Sequence, residues 1–202
     1  MIDTTLLLVM LTSLAACGVT TLGIHLVSRR EAWARANSIH FAAFAAGLLL
    51  SVSILHIVPK AMARSDWAPP LMLAGFLGLA GLNRVLDVFL SSDQQTPLGL
   101  IPILGIGLHS FIDGWIYSVT FSVGAFTGAL AALGMVLHEL PEGIIAYATL
   151  QRGRFRGRRA WLYAFLAAAA STPVGALIAY PFARGLGPAA LGGMLAVSAG
   201  AL

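Results

Sequence analysis

Two short segments hold most of the chemistry this chain could do: His109-Ser110-Phe111-Ile112-Asp113-Gly114 and His138-Glu139-Leu140-Pro141-Glu142-Gly143. Each reads H-x-x-x-[D/E]-G, and on a helix a spacing of four puts histidine and carboxylate on one face, a single turn apart. Two such faces opposed offer two imidazoles and two carboxylates to one point. That donor set suits a borderline divalent ion. Zinc takes imidazole nitrogen and carboxylate oxygen in fourfold coordination, and two carboxylates cancel its charge. Iron(II), manganese(II) and cadmium(II) accept the same ligands. Without a metal, these residues would serve only to join two helices, His109 to Glu142 and His138 to Asp113. The match between consecutive segments favours the metal.

The rest of the chain says what must position them. Of its 202 residues 58% are apolar and only 10% charged, with a mean hydropathy of +0.88, against roughly 25% charged residues in soluble domains. This excludes a disordered chain, a disulfide scaffold and a large soluble catalytic domain. The lone cysteine, Cys17, has no internal partner. Apolar stretches fall at 4–28, 39–63, 69–90, 98–122, 126–150, 160–182 and 187–202, each near the ~20 residues a helix needs to cross a bilayer. Backbone amides cannot go unpaired in lipid, so these are predicted helices. The expected architecture is all-α, one polytopic transmembrane domain over residues 1–202. The last stretch is too short to complete a crossing, which predicts a chain ending within its seventh helix.

At such depth polar groups cost several kcal/mol unless paired or used, so Asp113, Glu139, Glu142, His109 and His138 become functional candidates. Pro141 withholds an amide from the Leu137 carbonyl, and freed backbone at membrane depth is tolerated where it lines a cavity. A third element lies in the second stretch, His56-Ile57-Val58-Pro59-Lys60, where an imidazole again stands near a broken turn. His56 is an extra candidate ligand, or a hydrogen-bonded core histidine. His25 and His40 lie near span ends and are expected at the interface.

Eight of the twelve Lys and Arg residues cluster in two places, Arg29, Arg30 and Arg35, and Arg152, Arg154, Arg156, Arg158 and Arg159. Basic loops stay cytoplasmic. The assignment is self-consistent and sets the N-terminus outside. It also explains the pI of 9.8 without nucleic acid. Leu14-Ala15-Ala16-Cys17 imitates a lipoprotein cleavage site, but no positive residue precedes it and the apolar run continues to Val27, so a first spanning helix is expected.

His109 to Gly114 and His138 to Gly143, with Leu55-His56-Ile57-Val58-Pro59 before them, resemble the helix 4, 5 and 2 signatures of the ZIP metal-ion transporters. The resemblance implies an eight-helix inverted repeat, helices 1–3 related to 6–8, with both termini outside. Helices 4 and 5 would hold the site, and the metal-bearing helices would shift like an elevator against a scaffold. It also implies uptake of zinc, iron or another divalent ion into the cytoplasm, with the metal as substrate and not as cofactor, and a homodimer; the absence of sorting extensions makes a bacterial inner membrane the expected location. His109, Asp113, His138 and Glu142 match the primary site. Ser110 and Glu139 match positions that form a second, adjacent site in some members. Thr172 stands before Pro173 where such members often carry an acid, and Lys60 where many carry glutamate.

A metalloprotease is the other class that such residues suggest. His138-Glu139 begins like H-E-x-x-H, but position 142 is Glu and the motif fails. An intramembrane metal-dependent hydrolase would need an open water position on the metal, and no separate nucleophile accompanies the four ligands. A transporter, not an enzyme, is therefore expected.

Overall fold

The computed structural model describes residues 3–91, 100–152 and 155–201, and among these every regular element is helical. In chain order the helices are α1 (Thr4–Arg29), α2 (Glu31–Val52), α3 (Val58–Met62), α4 (Ala68–Ser91), α5 (Leu100–Val123), α6 (Ala125–Arg152), α7 (Gly157–Ala164), α8 (Ser171–Arg184) and α9 (Pro188–Ala201). Three rods are long and apolar enough to cross a membrane: Thr4–Arg29, Ala125–Gln151 and Gly157–Arg184. Shorter apolar helices cover Leu49–Met62, Ala68–Gly81 and Pro188–Ala201. The chain is an all-α membrane helix bundle. The beginning of the 98–122 stretch, the residue ending the 187–202 stretch, and Arg154 lie outside the described residues.

The bundle inverts the layout of a soluble domain. Leu11, Phe44, Phe76, Leu104 and Phe182 point outward, while Ser13, Thr20, Ser110, Asp113, Thr127, Glu139, Glu142 and Thr172 are buried. Lipid tails match the outer side chains, and the polar groups find partners only inside.

Helix ends follow local chemistry more than hydropathy. Asp3 caps α1 by accepting from the Thr5 amide at 3.0 Å, and Arg29 sits in the last turn, where a cation meets the dipole's negative end. The stretch Glu31-Ala32-Trp33-Ala34-Arg35-Ala36 has strong helix formers, so α2 begins well before the apolar run at 39. Charges end a hydrophobic span without ending the helix.

Two rods widen into a single π-turn, at Ser53–Ile57 between α2 and α3, and at Phe165–Ala169 between α7 and α8. Each precedes a proline, Pro59 or Pro173, that has no amide to give the carbonyl four residues back; the wider turn rearranges the hydrogen bonds ahead of it. Gly124 alone connects α5 to α6. Its amide donates to the Thr120 carbonyl at 3.2 Å and its carbonyl accepts from Gly128 at 3.0 Å, so this one residue closes the last turn of α5 and opens the first turn of α6.

α5 and α6 are gripped from opposite sides, α5 by α8 and α6 by α1. The glycine that closes each H-x-x-x-[D/E]-G segment makes this possible. A Cβ on Gly143 would stand 2.2 Å from the Thr20 carbonyl oxygen of α1, and one on Gly114 would stand 2.1 Å from that of Thr172 in α8. Neither approach is open to a larger residue, and in lipid such contact replaces the hydrophobic drive to pack.

Candidate metal centre

Four side chains converge midway along α5 and α6. His109, Asp113, His138 and Glu142 each offer one donor atom, and the four atoms lie within 4.8 Å of one another. Asp113 Oδ2 is the hub, 3.0 Å from His138 Nε2 and 3.6 Å from His109 Nε2, while Glu142 Oε2 lies 3.6 Å from His138 Nε2. The two imidazoles meet edge to face, centroids 5.7 Å apart. Zinc bonds of about 2.0–2.2 Å put tetrahedral donors about 3.3–3.6 Å apart. The three measured separations bracket that range, and the widest needs about one ångström of closure.

Burial is graded. Asp113 and Glu142 are enclosed, His138 is mostly so, and the His109 side chain is 41% exposed, so one ligand meets the surroundings and three face inward. Glu142 Oε2 and His138 Nδ1 are buried and find no hydrogen-bond partner among the described residues. An orphaned carboxylate oxygen beside two imidazoles fits a cation.

The other candidates from the sequence sit elsewhere. Ser110 donates to Glu142 Oε1 at 2.5 Å. Glu139 is not in the converging group: Thr20 of α1 donates to its Oε2, and Thr172 of α8 donates to its Oε1 at 3.4 Å. His56 Nε2 lies 3.3 Å from Thr127 Oγ1, and Lys60 Nζ donates to that same oxygen at 2.6 Å. Of the two helix-joining pairs that need no metal, His138 to Asp113 is formed. Thr20, Thr127 and Tyr117 were invisible as site residues. Tyr117 follows Asp113 by one turn, and its buried hydroxyl has no partner among the described residues; that i,i+4 spacing was the only available signal.

No protein-family model matches the chain. Part of it is similar to curated proteins named Zinc transporter ZupT: 35% identity over 94 residues with that of Escherichia coli O127:H6, covering 39% of this chain and 37% of the relative. The same stretch is 34% identical in the protein of Shigella dysenteriae serotype 1 and in that of Escherichia coli K12, with the same coverage. The chain thus matches little more than a third of these relatives' length. What the comparison establishes is a partial likeness between a multi-pass helical membrane protein bearing a His/carboxylate cluster and proteins named as zinc transporters.

Proposed function

We propose that this protein is a ZIP-type transporter that carries a divalent metal ion, zinc foremost, into the cytoplasm through a centre made by His109, Asp113, His138 and Glu142. The observation that carries the proposal is the convergence of four donor atoms within 4.8 Å inside an apolar bundle. The partial likeness to named zinc transporters supports the ion. Two carboxylates neutralise a divalent charge that the interior would otherwise reject, and iron(II), manganese(II) or cadmium(II) would fit the same donors less selectively.

The ion enters from the side of the α5–α6 turn, sheds its water, and binds between the two helices. Release needs a second state in which the four donors no longer converge. The basic clusters at Arg29, Arg30 and Arg35 and at Arg156, Arg158 and Arg159 support an orientation with the face opposite the α5–α6 turn toward the cytoplasm, and the ZIP likeness supports inward movement. The ZIP likeness adds pairing of two copies, and a cell-membrane location belongs to the same reading.

The test is radiolabelled zinc flux in proteoliposomes beside a hydrolase screen. Flux without turnover is expected, and its loss in His109→Ala and Glu142→Ala with membrane insertion intact. Turnover without flux would replace the transporter by an intramembrane hydrolase. Full flux in both variants would remove the site assignment.

A further inference from the structure

Ser110 follows His109 on α5 and is completely buried. Its hydroxyl has two acceptors in reach, the Ile106 carbonyl one turn back at 3.0 Å and Glu142 Oε1 at 2.5 Å. A serine has one proton to give. The shorter contact has the length of a bond from hydroxyl to carboxylate, which is about twice as strong as a neutral one. Glu142 therefore has one oxygen committed and one, Oε2, directed at His138. The neighbouring acid on α6, Glu139, lies outside the converging group, its oxygens accepting from Thr20 and Thr172.

We infer that Ser110 is a specificity-determining residue: by holding Glu142 Oε1 it restricts that ligand to a single oxygen and so favours zinc over manganese(II). This rests on the proposed metal centre. Zinc is content with four nitrogen and oxygen donors, whereas manganese(II) prefers six, mostly oxygen. Without the serine hydroxyl, Oε1 swings onto the ion and Glu142 binds through both oxygens. The added oxygen benefits manganese more than zinc.

The experiment measures zinc–manganese competition at equilibrium on the full chain in detergent, with X-ray absorption at the zinc edge reporting the donor count. Ser110→Ala should lower the zinc-to-manganese preference by roughly two- to tenfold, the scale of one hydrogen bond, and should add one oxygen to the zinc shell. Ser110→Gly removes the same hydroxyl and serves if the alanine variant does not insert. Ser110→Thr keeps the hydroxyl and should keep the preference. An unchanged ratio in the hydroxyl-free variants overturns the inference, as does an equal shift in Ser110→Thr, since packing would then be the cause. If zinc binding to the wild type is absent, or survives His109→Ala, the metal centre itself falls. If it is lost in His109→Ala while Ser110→Ala leaves the ratio unmoved, only the role of Ser110 falls.

Discussion

Two histidine clusters lie on α6 and its neighbours, and they differ in what faces the imidazole. Midway along the helices, His109 and His138 face Asp113 and Glu142. Near the α5–α6 turn, His56 shares the Thr127 hydroxyl with the Lys60 ammonium. The inner cluster brings two carboxyl groups to its imidazoles; the outer one already contains the Lys60 ammonium. Both hold a histidine close to a proline, so residue type and spacing alone do not distinguish them. The company does. In the proposed transporter, the ammonium beside His56 would keep the outer cluster from trapping an ion on its way to the inner one.

The strongest way to break this contrast is to remove the inner anions. Asp113→Asn or Glu142→Gln should weaken zinc binding by more than about a hundredfold, beyond the 10–100-fold typical when a residue merely supports a ligand; equilibrium binding to the purified protein measures it. Next in size is the scaffold around the inner cluster. Gly143→Ala and Gly114→Ala push a methyl into a neighbouring backbone and should cost about 1–3 kcal/mol in thermal unfolding, whereas Gly78→Ala, with open space at its Cβ, should cost nothing measurable. Lys60→Glu would sharpen the comparison by making the outer cluster resemble the inner one, a histidine and a carboxylate four residues apart. Its zinc KM should fall by about two- to fivefold at low salt and return toward wild type as salt screens the charge. An unmoved KM at low salt would deny the ammonium its part.

The smallest effect belongs to a third polar contact, at the start of α1. Asp3 accepts from the Tyr180 hydroxyl at 2.5 Å and lies 3.4 Å from Arg184 Nη1. The Tyr180 bond, aided by the Thr5 amide and the Arg184 charge, holds its carboxyl below the ordinary value despite slight desolvation. A lowered folded pKa means that the contact stabilises fully above the unfolded value of about 4, and that this is lost as pH falls through the folded one. Asp3→Asn should therefore flatten only the acid limb of the Tm–pH curve.

The convergence was legible because both His/carboxylate pairs obey the one periodicity a helix imposes; that Gly124 alone connects α5 to α6 and sets them side by side shows only in the structure. Hydropathy likewise announced an all-α membrane bundle. What stayed hidden depends on distant partners. Thr20 reaches Glu139 across 119 residues, and a threonine in an apolar helix looks the same whether it packs or donates. Ser110 is a candidate through the family position it matches; its contact with Glu142 Oε1 shows only in the structure. The early start of α2 was missed because hydropathy marks where lipid begins, while propensity marks where the helix does.

The Gly124 reversal has a consequence for binding entropy. All four side chains of the converging group belong to one helical hairpin with a one-residue connection, so folding brings them face to face, and in the proposed transporter little freedom would be left to lose when an ion arrives. Lengthening the reversal with a few flexible residues should therefore weaken zinc binding without altering any of the four proposed donors.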